Sequence, residues 1–502
     1  MVRVTAHPLV AIALLAQVAS AQTVAVSHAG SVAPIEDIPV STASAPARSL
    51  FETGQRLLDA GRPREAREHF RLAVEADPTF AYGYIQLAAA SASAPEFKEN
   101  LDRAAHYIAG KSDGERILLE INRTFLDNNA EKRLELAQTL VSGYPSSPRA
   151  WIILGNAQAA LNRHAEARKS FDRAVALDPG MYLAHSVQGF SYLFNEPRDF
   201  DKAKRFMEQA IAANPKEAKG YEQLGDVYRA MNELEQARDA YTRATTIDPK
   251  LAVAVLKKGH INSFLGNYSE ARSAYDAAIA GGQEAEKITY GVFRAYTSVH
   301  AGEPKAAIEE LTTVARKAEA GVPSKQINGA KGFALLSALQ IALHNDMLDD
   351  VEKVLASYAK AVRGDAKAVN DADFTRQTEA GLRALESQLA ARRGDFTTAL
   401  AKAKEHKALV ESDKNPRRLE TFHSLVALVE LRKKAFAQAV SHYRQADLTD
   451  LYTKYHLAVA LEGAGESAEA RKLFQQVASW NFNSVAFALV RKDAAKKVTA
   501  AN

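Results

Sequence analysis

Apolar residues recur at helical spacing along most of this chain, and their order returns about every 34 positions. Apolar positions at i, i+3, i+4 and i+7 give a helix one buried stripe, whereas a half-buried strand would alternate strictly. The clearest copies begin near Arg48, Pro148, Ala218 and Ala252. A fixed period of this length predicts an all-α solenoid, because each pair of antiparallel helices can bury its apolar face only against its neighbours.

Small and large residues have fixed places in this period. A glycine where the two helices cross, such as Gly155, lets their backbones approach closely. A large side chain sixteen positions later, Phe171 in this copy, fills the space between the helices. Pro179 then ends the second helix, because the residue before a proline avoids the α-helical region. In the less regular copy that starts near Ala184, Met207 takes the place of the ring.

The pattern predicts five consecutive parts. We expect two degenerate helix pairs over residues 81–147 and about eleven pairs in all, with longer loops or breaks near 321–332 and 363–373. The parts are a signal peptide over 1–21, a flexible leader over 22–47, a regular array over 48–283, degenerate repeats over 284–482, and a C-terminal capping helix with its tail over 483–502. Solenoids need such a cap, because the last repeat otherwise exposes its core.

The N-terminus has the pattern of an export signal. A short apolar run, Leu9–Ala16, precedes the small residues Ala19 and Ala21, and we expect cleavage after Ala21. The alternative is that this segment stays as an anchor. No other apolar stretch approaches the roughly 20 residues that span a bilayer, so we expect no transmembrane segment after cleavage. The predicted location is therefore the bacterial periplasm or the exterior.

Composition narrows the function classes. The 64 basic and 60 acidic residues are interspersed and leave a net charge of +4. They form no basic stripe of the kind typical of nucleic-acid binders, so we expect no nucleic-acid partner. The chain has no Cys, which excludes disulfides, a thiol nucleophile and Cys-ligated metal. His423 and His442 lie on different predicted helices, and we expect no metal site there. We expect no cofactor and no catalytic residues.

The ordered set Trp151, Leu154, Gly155, Ala167 and Phe171, with Ala174 and Pro179, resembles the tetratricopeptide repeat family. The resemblance implies a right-handed superhelix that binds a protein or peptide in a concave groove lined by the first helix of each pair. A homo-oligomer is left open. Carried onto this sequence, the family's groove positions are Arg149, Ile152, Asn156, Ser186, Phe190, Leu193, Lys219, Glu222, Asp226, Arg229, Leu256, His260 and Ser263.

The sequence thus predicts a non-catalytic protein-interaction scaffold of the cell envelope. Two alternatives stay open. A nucleotide-dependent factor would use Lys111, because Ala105 through Ser112 fits a relaxed phosphate-loop pattern, although a strand should precede such a loop. A receptor for a small envelope molecule such as a glycan would use aromatic residues, for which Tyr290, Phe293 and Tyr296 are the candidates.

Overall fold

The computed structural model describes residues 37–499, apart from residues 92, 283 and 324–325, and this part of the chain contains helices and no strand. The predicted signal peptide and residues 22–36 of the leader lie outside the described residues. The helices are α1 Ala45–Asp59, α2 Pro63–Ala76, α3 Ala81–Ala89, α4 Ala94–Tyr107, α5 Asp113–Arg123, α6 Ala130–Gly143, α7 Pro148–Ala160, α8 His164–Leu177, α9 Tyr182–Phe194, α10 Phe200–Ala213, α11 Ala218–Ala230, α12 Leu234–Ile247, α13 Ala252–Leu265, α14 Tyr268–Gly281, α15 Glu284–Ala301, α16 Pro304–Gly321, α17 Ile327–His344, α18 Leu348–Val369, α19 Ala372–Arg393, α20 Phe396–Val410, α21 Glu420–Arg432, α22 Phe436–Tyr443, α23 Leu451–Gly463, α24 Ser467–Ala478 and α25 Val485–Thr499.

The described helices form twelve successive pairs, followed by α25, as an all-α solenoid requires. The chain divides into two compact units between Ala254 and Val255. The first unit contains α1 to α12, and the second contains α14 to α25 with most of α13. Within each unit the first helices of neighbouring pairs also contact each other, for example α7 with α9 and α15 with α17.

The two degenerate pairs predicted over 81–147 are present as α3 to α6, whereas the second unit differs from prediction. Near 363–373 the structure has the break and not the longer loop, because α18 continues to Val369 and only two residues separate it from α19. Asn370, with φ 52°, makes that turn. Both α18 and α19 have 22 residues, so long helices rather than loops make the repeat spacing irregular here. The described chain accordingly has one more pair than the expected eleven.

The predicted glycine-to-ring contact holds the pairs together. A Cβ on Gly155 would lie 2.7 Å from Cδ1 of Phe171, and the Phe171 side chain is buried. Gly225 faces the ring of Tyr241 in the same way. Met207 takes the ring position in the less regular pair and is fully buried. Each pair therefore brings two helix backbones close together at one glycine and covers that crossing with one large side chain.

The leader does not stay flexible up to residue 47. Helix α1 begins at Ala45, and residues 37–44 before it run without helical structure along the first unit. Ile38 is buried, and Ser44 caps the start of α1 by accepting from the backbone N–H of Ala47. For residues 37–47 the predicted flexible leader is thus corrected to an ordered segment, because its side chains find polar and apolar partners on the repeats.

The helix predicted after residue 483 is present as α25, and its packing extends further than that of a cap. It contacts α23 and α24, as a terminal cap would, and also α15 and α17. Helix α25 therefore lies against first helices distant from it in sequence within the second unit. Among the described helices, none is both long and apolar enough to cross a membrane.

The glycine-to-ring contact predicts that a side chain added at the helix crossing lowers the free energy of unfolding. The Gly155→Ala variant should lose about 1–3 kcal/mol of unfolding free energy, because its Cβ overlaps the Phe171 ring in a packed core. Gly143→Ala, at the end of α6 where nothing lies within 4 Å, is the control and should not destabilise by more than about 0.5 kcal/mol. Urea unfolding of both variants measures this. Equal stability would show that the crossing can relax around a methyl group.

Candidate functional site

Most of the predicted groove residues are buried in the structure. Nine of the thirteen are covered by neighbouring helices, three are half-buried, and one is exposed. First helices of the first unit contact one another, α9 with α7 and with α1 for example, and side chains that the pattern directs into a groove are covered there. The buried nine are Ile152, Ser186, Leu193, Glu222, Asp226, Arg229, Leu256, His260 and Ser263; the half-buried three are Arg149, Phe190 and Lys219; the exposed one is Asn156.

The charged residues predicted on α11 neutralise one another inside the protein. Nζ of Lys219 lies 2.5 Å from a carboxylate oxygen of Glu222, which is fully buried. Arg229 pairs with Asp226 at 2.9 Å, and the hydroxyl of Tyr241 donates to the same carboxylate at 2.8 Å. Burial raises the pKa of Tyr241 well above its usual value, which keeps this hydroxyl a donor. These charges stabilise the pair α11–α12 and are not presented to a ligand.

Arg149 is engaged by two carboxylates of its own unit. Its guanidinium forms ion pairs with Asp37 from the leader and with Asp59 from the end of α1. Burial alone would lower the pKa of Arg149, but the charges of the two carboxylates raise it. Burial raises the pKa of Asp59 in spite of the facing guanidinium. The chain thus supplies the anionic partner that a ligand would otherwise bring to this groove position.

Asn156 and Phe190 are the predicted positions that keep an accessible side chain without an ion pair in the first unit. Asn156 lies on α7 and is exposed, and Phe190 lies on α9 and is half-buried. The Phe190 ring stacks on Phe194 with 5.7 Å between centroids. An exposed amide and a half-buried ring at the same repeat position suit a peptide that brings one apolar side chain and one backbone hydrogen bond.

In the second unit the predicted groove is filled by aromatic packing. The ring of His260 lies 5.0 Å from Phe293 and 5.8 Å from Tyr275, measured between centroids. Tyr290 and Tyr296 are buried, and the hydroxyl of Tyr296 is 2.8 Å from that of Ser337. The prediction of an aromatic surface for a glycan is therefore wrong for these tyrosines, because their faces pack inside the protein.

The sequence reasoning missed how the C-terminal segment is anchored. The Asn483 amide donates to the hydroxyl of Tyr275 at 3.0 Å and accepts from Nε2 of His300 at 3.1 Å. Phe487 is fully buried and meets the ring of Phe264 edge-on at 5.2 Å. The sequence signal that could have revealed this anchor is a polar residue, Asn483, two positions before a helix that begins with apolar residues. This segment covers first helices of the second unit, where an open groove was expected.

The phosphate-loop alternative is contradicted by the local structure. Helix α4, not a strand, precedes the segment, and Gly110 takes a left-handed φ of 75° after it. Ser112 and Glu115 form a reciprocal capping box at the start of α5. Nζ of Lys111 donates to the carbonyl of Ser41 at 3.2 Å. Helix capping and the leader contact account for these residues.

His423 and His442 lie on different helices, as predicted, but they are not separate. Their Nδ1 atoms are 3.1 Å apart, which is a hydrogen bond between α21 and α22. Burial, the neighbouring His442 and Lys407 lower the pKa of His423 below its usual value. In the part of the chain that the structure describes, no three His, Asp or Glu side chains come together as metal ligands.

Substitutions on the first helices should distinguish buried charges that stabilise the fold from exposed residues that are free for recognition. The Asp226→Ala variant should lose about 3–5 kcal/mol of unfolding free energy, because Arg229 would remain buried without this partner. Asn156→Ala, at an exposed position, should change it by no more than about 0.5 kcal/mol. Chemical denaturation measures both. A tolerated Asp226→Ala would contradict the structural role of this charge pair.

His300 predicts a pH dependence of the second unit. Burial lowers the pKa of His300 to about 4, with Arg491 and Lys492 adding to the effect. The unfolded chain binds this proton near pH 6.5, so stability is lost as the pH falls from about 6.5 to about 4, by up to about 3 kcal/mol. His300→Gln keeps a donor for Asn483 and should lack this part of the dependence. Urea titrations of both proteins across that range measure the difference, and parallel curves would contradict it.

Parts of the chain are similar to named proteins. Over 143 residues it is 32% identical to anaphase-promoting complex subunit 3 of Schizosaccharomyces pombe, covering 28% of this chain and 21% of that protein. Over 120 residues it is 33% identical to protein bimA of Emericella nidulans, covering 24% and 15%. Over 153 residues it is 26% identical to protein O-mannosyl-transferase TMTC1 of Homo sapiens, covering 30% and 17%. The chain thus spans about a fifth or less of each relative's length.

The chain also matches solved structures and family models. The crystal structure of the APC/C hetero-tetramer Cut9-Hcn1 matches 86% of this chain and 76% of that chain, with 16% identity and a TM-score of 0.39. The crystal structure of MamA matches 32% and 93%, with 21% identity and a TM-score of 0.28. Family models described as tetratricopeptide repeat match residues 47–71, 133–182, 218–251, 252–280 and 452–479. With matches at five places in both units, the chain is a tetratricopeptide-repeat protein.

Proposed function

We propose that this protein is a non-catalytic scaffold of the cell envelope that binds a segment of a partner protein through the first helices of its repeats. The observation that carries the proposal is the row of neighbouring first helices, on which Asn156 and Phe190 keep accessible side chains. Repeat arrays use such rows as extended binding surfaces. One relative of the repeats, anaphase-promoting complex subunit 3, is by its name part of a multi-protein assembly.

The non-catalytic part of the proposal is supported by what the charged groups do. Arg149, Asp226 and Lys111 were the groups best placed for ligand chemistry, and each is engaged in a contact within its own unit. The name of TMTC1 refers to a transferase, but the similar stretch covers 17% of that protein. Because the match spans so little of TMTC1, the proposal does not carry the reaction in that name over to this chain.

The envelope location is proposed from the N-terminal pattern. A short apolar run, Leu9–Ala16, followed by the small residues Ala19 and Ala21, is typical of a cleaved export signal. Recovery of the full-length chain from the cytosol alone would contradict this location.

The binding surface is tested by affinity capture from envelope extract, with residues 22–502 as bait and mass spectrometry as readout. The double variant Asn156→Ala with Phe190→Ala should reduce capture of a specific partner at least about tenfold, because losing an aromatic contact and a hydrogen bond costs about 1.5–3 kcal/mol. Its matched control is Lys169→Ala with Arg173→Ala, two exposed residues on the second helix α8.

A partner that the double variant and the control both capture as well as the unmodified bait does would place binding elsewhere and contradict the proposed surface. A partner lost by the control and kept by the test variant would assign the second-helix face instead. Thermal unfolding of each variant, followed by circular dichroism, shows whether a loss of capture comes from unfolding. Capture of no specific protein by the unmodified bait would contradict the scaffold function itself.

A further inference from the structure

Residues 37–42 lie on the first unit in the manner of a bound peptide. They have no helical structure, and most of their partners are distant in sequence. The backbone N–H of Ser41 donates to Glu115 at 3.0 Å, and Nζ of Lys111 donates to the Ser41 carbonyl at 3.2 Å. Recognition of an extended backbone by fixed side chains is a general way in which proteins hold peptides.

Two side chains anchor this segment at one end. The Asp37 carboxylate accepts from the guanidinium of Arg149 and from the hydroxyl of Ser147. A guanidinium is the side chain best suited to recognising a carboxylate. The next residue, Ile38, is buried, with only 5% of its surface exposed.

The place that Ile38 occupies depends on a glycine. A Cβ at Gly114 would lie 2.7 Å from Cγ2 of Ile38, so any other residue there would fill the same space. We call the set Lys111, Gly114, Glu115, Ser147 and Arg149 the leader seat. It combines a cation for a carboxylate, an apolar recess, and donors and acceptors for a peptide backbone.

The segment can leave the leader seat without unwinding a helix. It is joined to α1 through residues 43–44, which precede the first helical residue, Ala45. Within residues 37–42 only Ile38 and Thr42 are buried. Most of what holds the segment is therefore polar contact, made to Arg149 and to the buried side chains of Glu115 and Ser147. A single hydrogen bond contributes only about 0.5–1.5 kcal/mol of net free energy.

We propose that the leader seat is a peptide-binding site of the first unit, additional to the surface of Asn156 and Phe190, and that the chain's own residues 37–42 occupy it in cis. The partner segment is an extended peptide in which an aspartate is followed directly by a β-branched apolar residue. Because it specifies which segment the scaffold accepts, this site rests on the proposed function. A tethered occupant competes at an effective concentration on the order of millimolar, so a partner binds only by displacing it.

The test uses a fluorescent peptide of residues 37–44, with blocked ends, and the chain from residue 22 to 502. In the release variant, Asp37→Ala with Ile38→Asp, the seat should be empty, and the peptide should bind at least about tenfold more tightly than to the unmodified chain. A peptide carrying the same two changes is the ligand control. Fluorescence anisotropy gives the dissociation constants.

Substitutions in the leader seat are introduced into the release variant, whose seat is open to the added peptide. Lys111→Ala removes the donor to the peptide carbonyl and should weaken binding about 3–10-fold. Arg123→Ala, an exposed residue at the end of helix α5, the helix that Lys111 precedes, should leave binding unchanged. A folded release variant that does not bind the peptide, or one that binds the control peptide equally well, would overturn the proposal.

A measurement on the unmodified chain covers the case in which the release variant does not fold. Unfolding of that variant would itself count against the proposal, because an intramolecular ligand is dispensable for the fold. In hydrogen exchange, the Ser41 amide should exchange at least about tenfold faster than buried amides of α5, by local detachment of the segment. Equal protection would make the leader part of the cooperative core. Because the peptide belongs to this chain, its binding does not depend on whether the envelope capture finds a partner.

Discussion

The contact on which the described array depends is the crossing of two helices at a glycine covered by one large side chain. At Gly155 and Phe171, and again at Gly225 and Tyr241, the absence of a Cβ lets a ring lie against the facing backbone. The contact fixes how closely the two helices of a pair approach, and thereby which apolar face the pair presents to its neighbours. Since each pair contacts mainly its neighbours, the stability of such an array is close to a sum of pair and interface contributions.

Close packing of the pairs also determines what the first helices can present. Neighbouring first helices within a unit contact each other, so polar side chains directed between them have to be neutralised there. Lys219 with Glu222, and Asp226 with Arg229, are the result on α11. Breaking such a buried pair is far more destabilising than never having formed it, which couples these residues to folding. Residues that the family's binding positions would assign to recognition here support the repeat itself.

The sequence predicted the fold well because the repeat signal is local. The glycine, the ring and the proline at fixed spacing are each needed within a single helix pair. The structure has the pairs from α1 to α14 where that spacing predicts them. The candidate site could not be predicted to the same degree. Whether Asp226 faces a ligand or Arg229 depends on how closely successive pairs pack, and the period contains no such information. The contacts of Asn483 with Tyr275 and His300 join residues nearly two hundred or more positions apart, which no local pattern reveals.

Segments outside the repeats decide which parts of the first helices remain available. In the second unit, α25 buries Phe487 against Phe264, so this surface is part of a hydrophobic core. In the first unit, the leader holds Arg149 through the half-buried carboxylate of Asp37 and buries one isoleucine, Ile38, next to Gly114. The difference matters for function, because a core segment is removed only with loss of the fold. A tethered polar segment can be displaced, and it sets the affinity that a partner must reach to displace it. A partner that lacks either the carboxylate or the apolar side chain loses the competition with the leader, because the tethered segment offers both at high effective concentration. Occupancy in cis can therefore give selectivity to a repeat surface that has few distinctive side chains of its own.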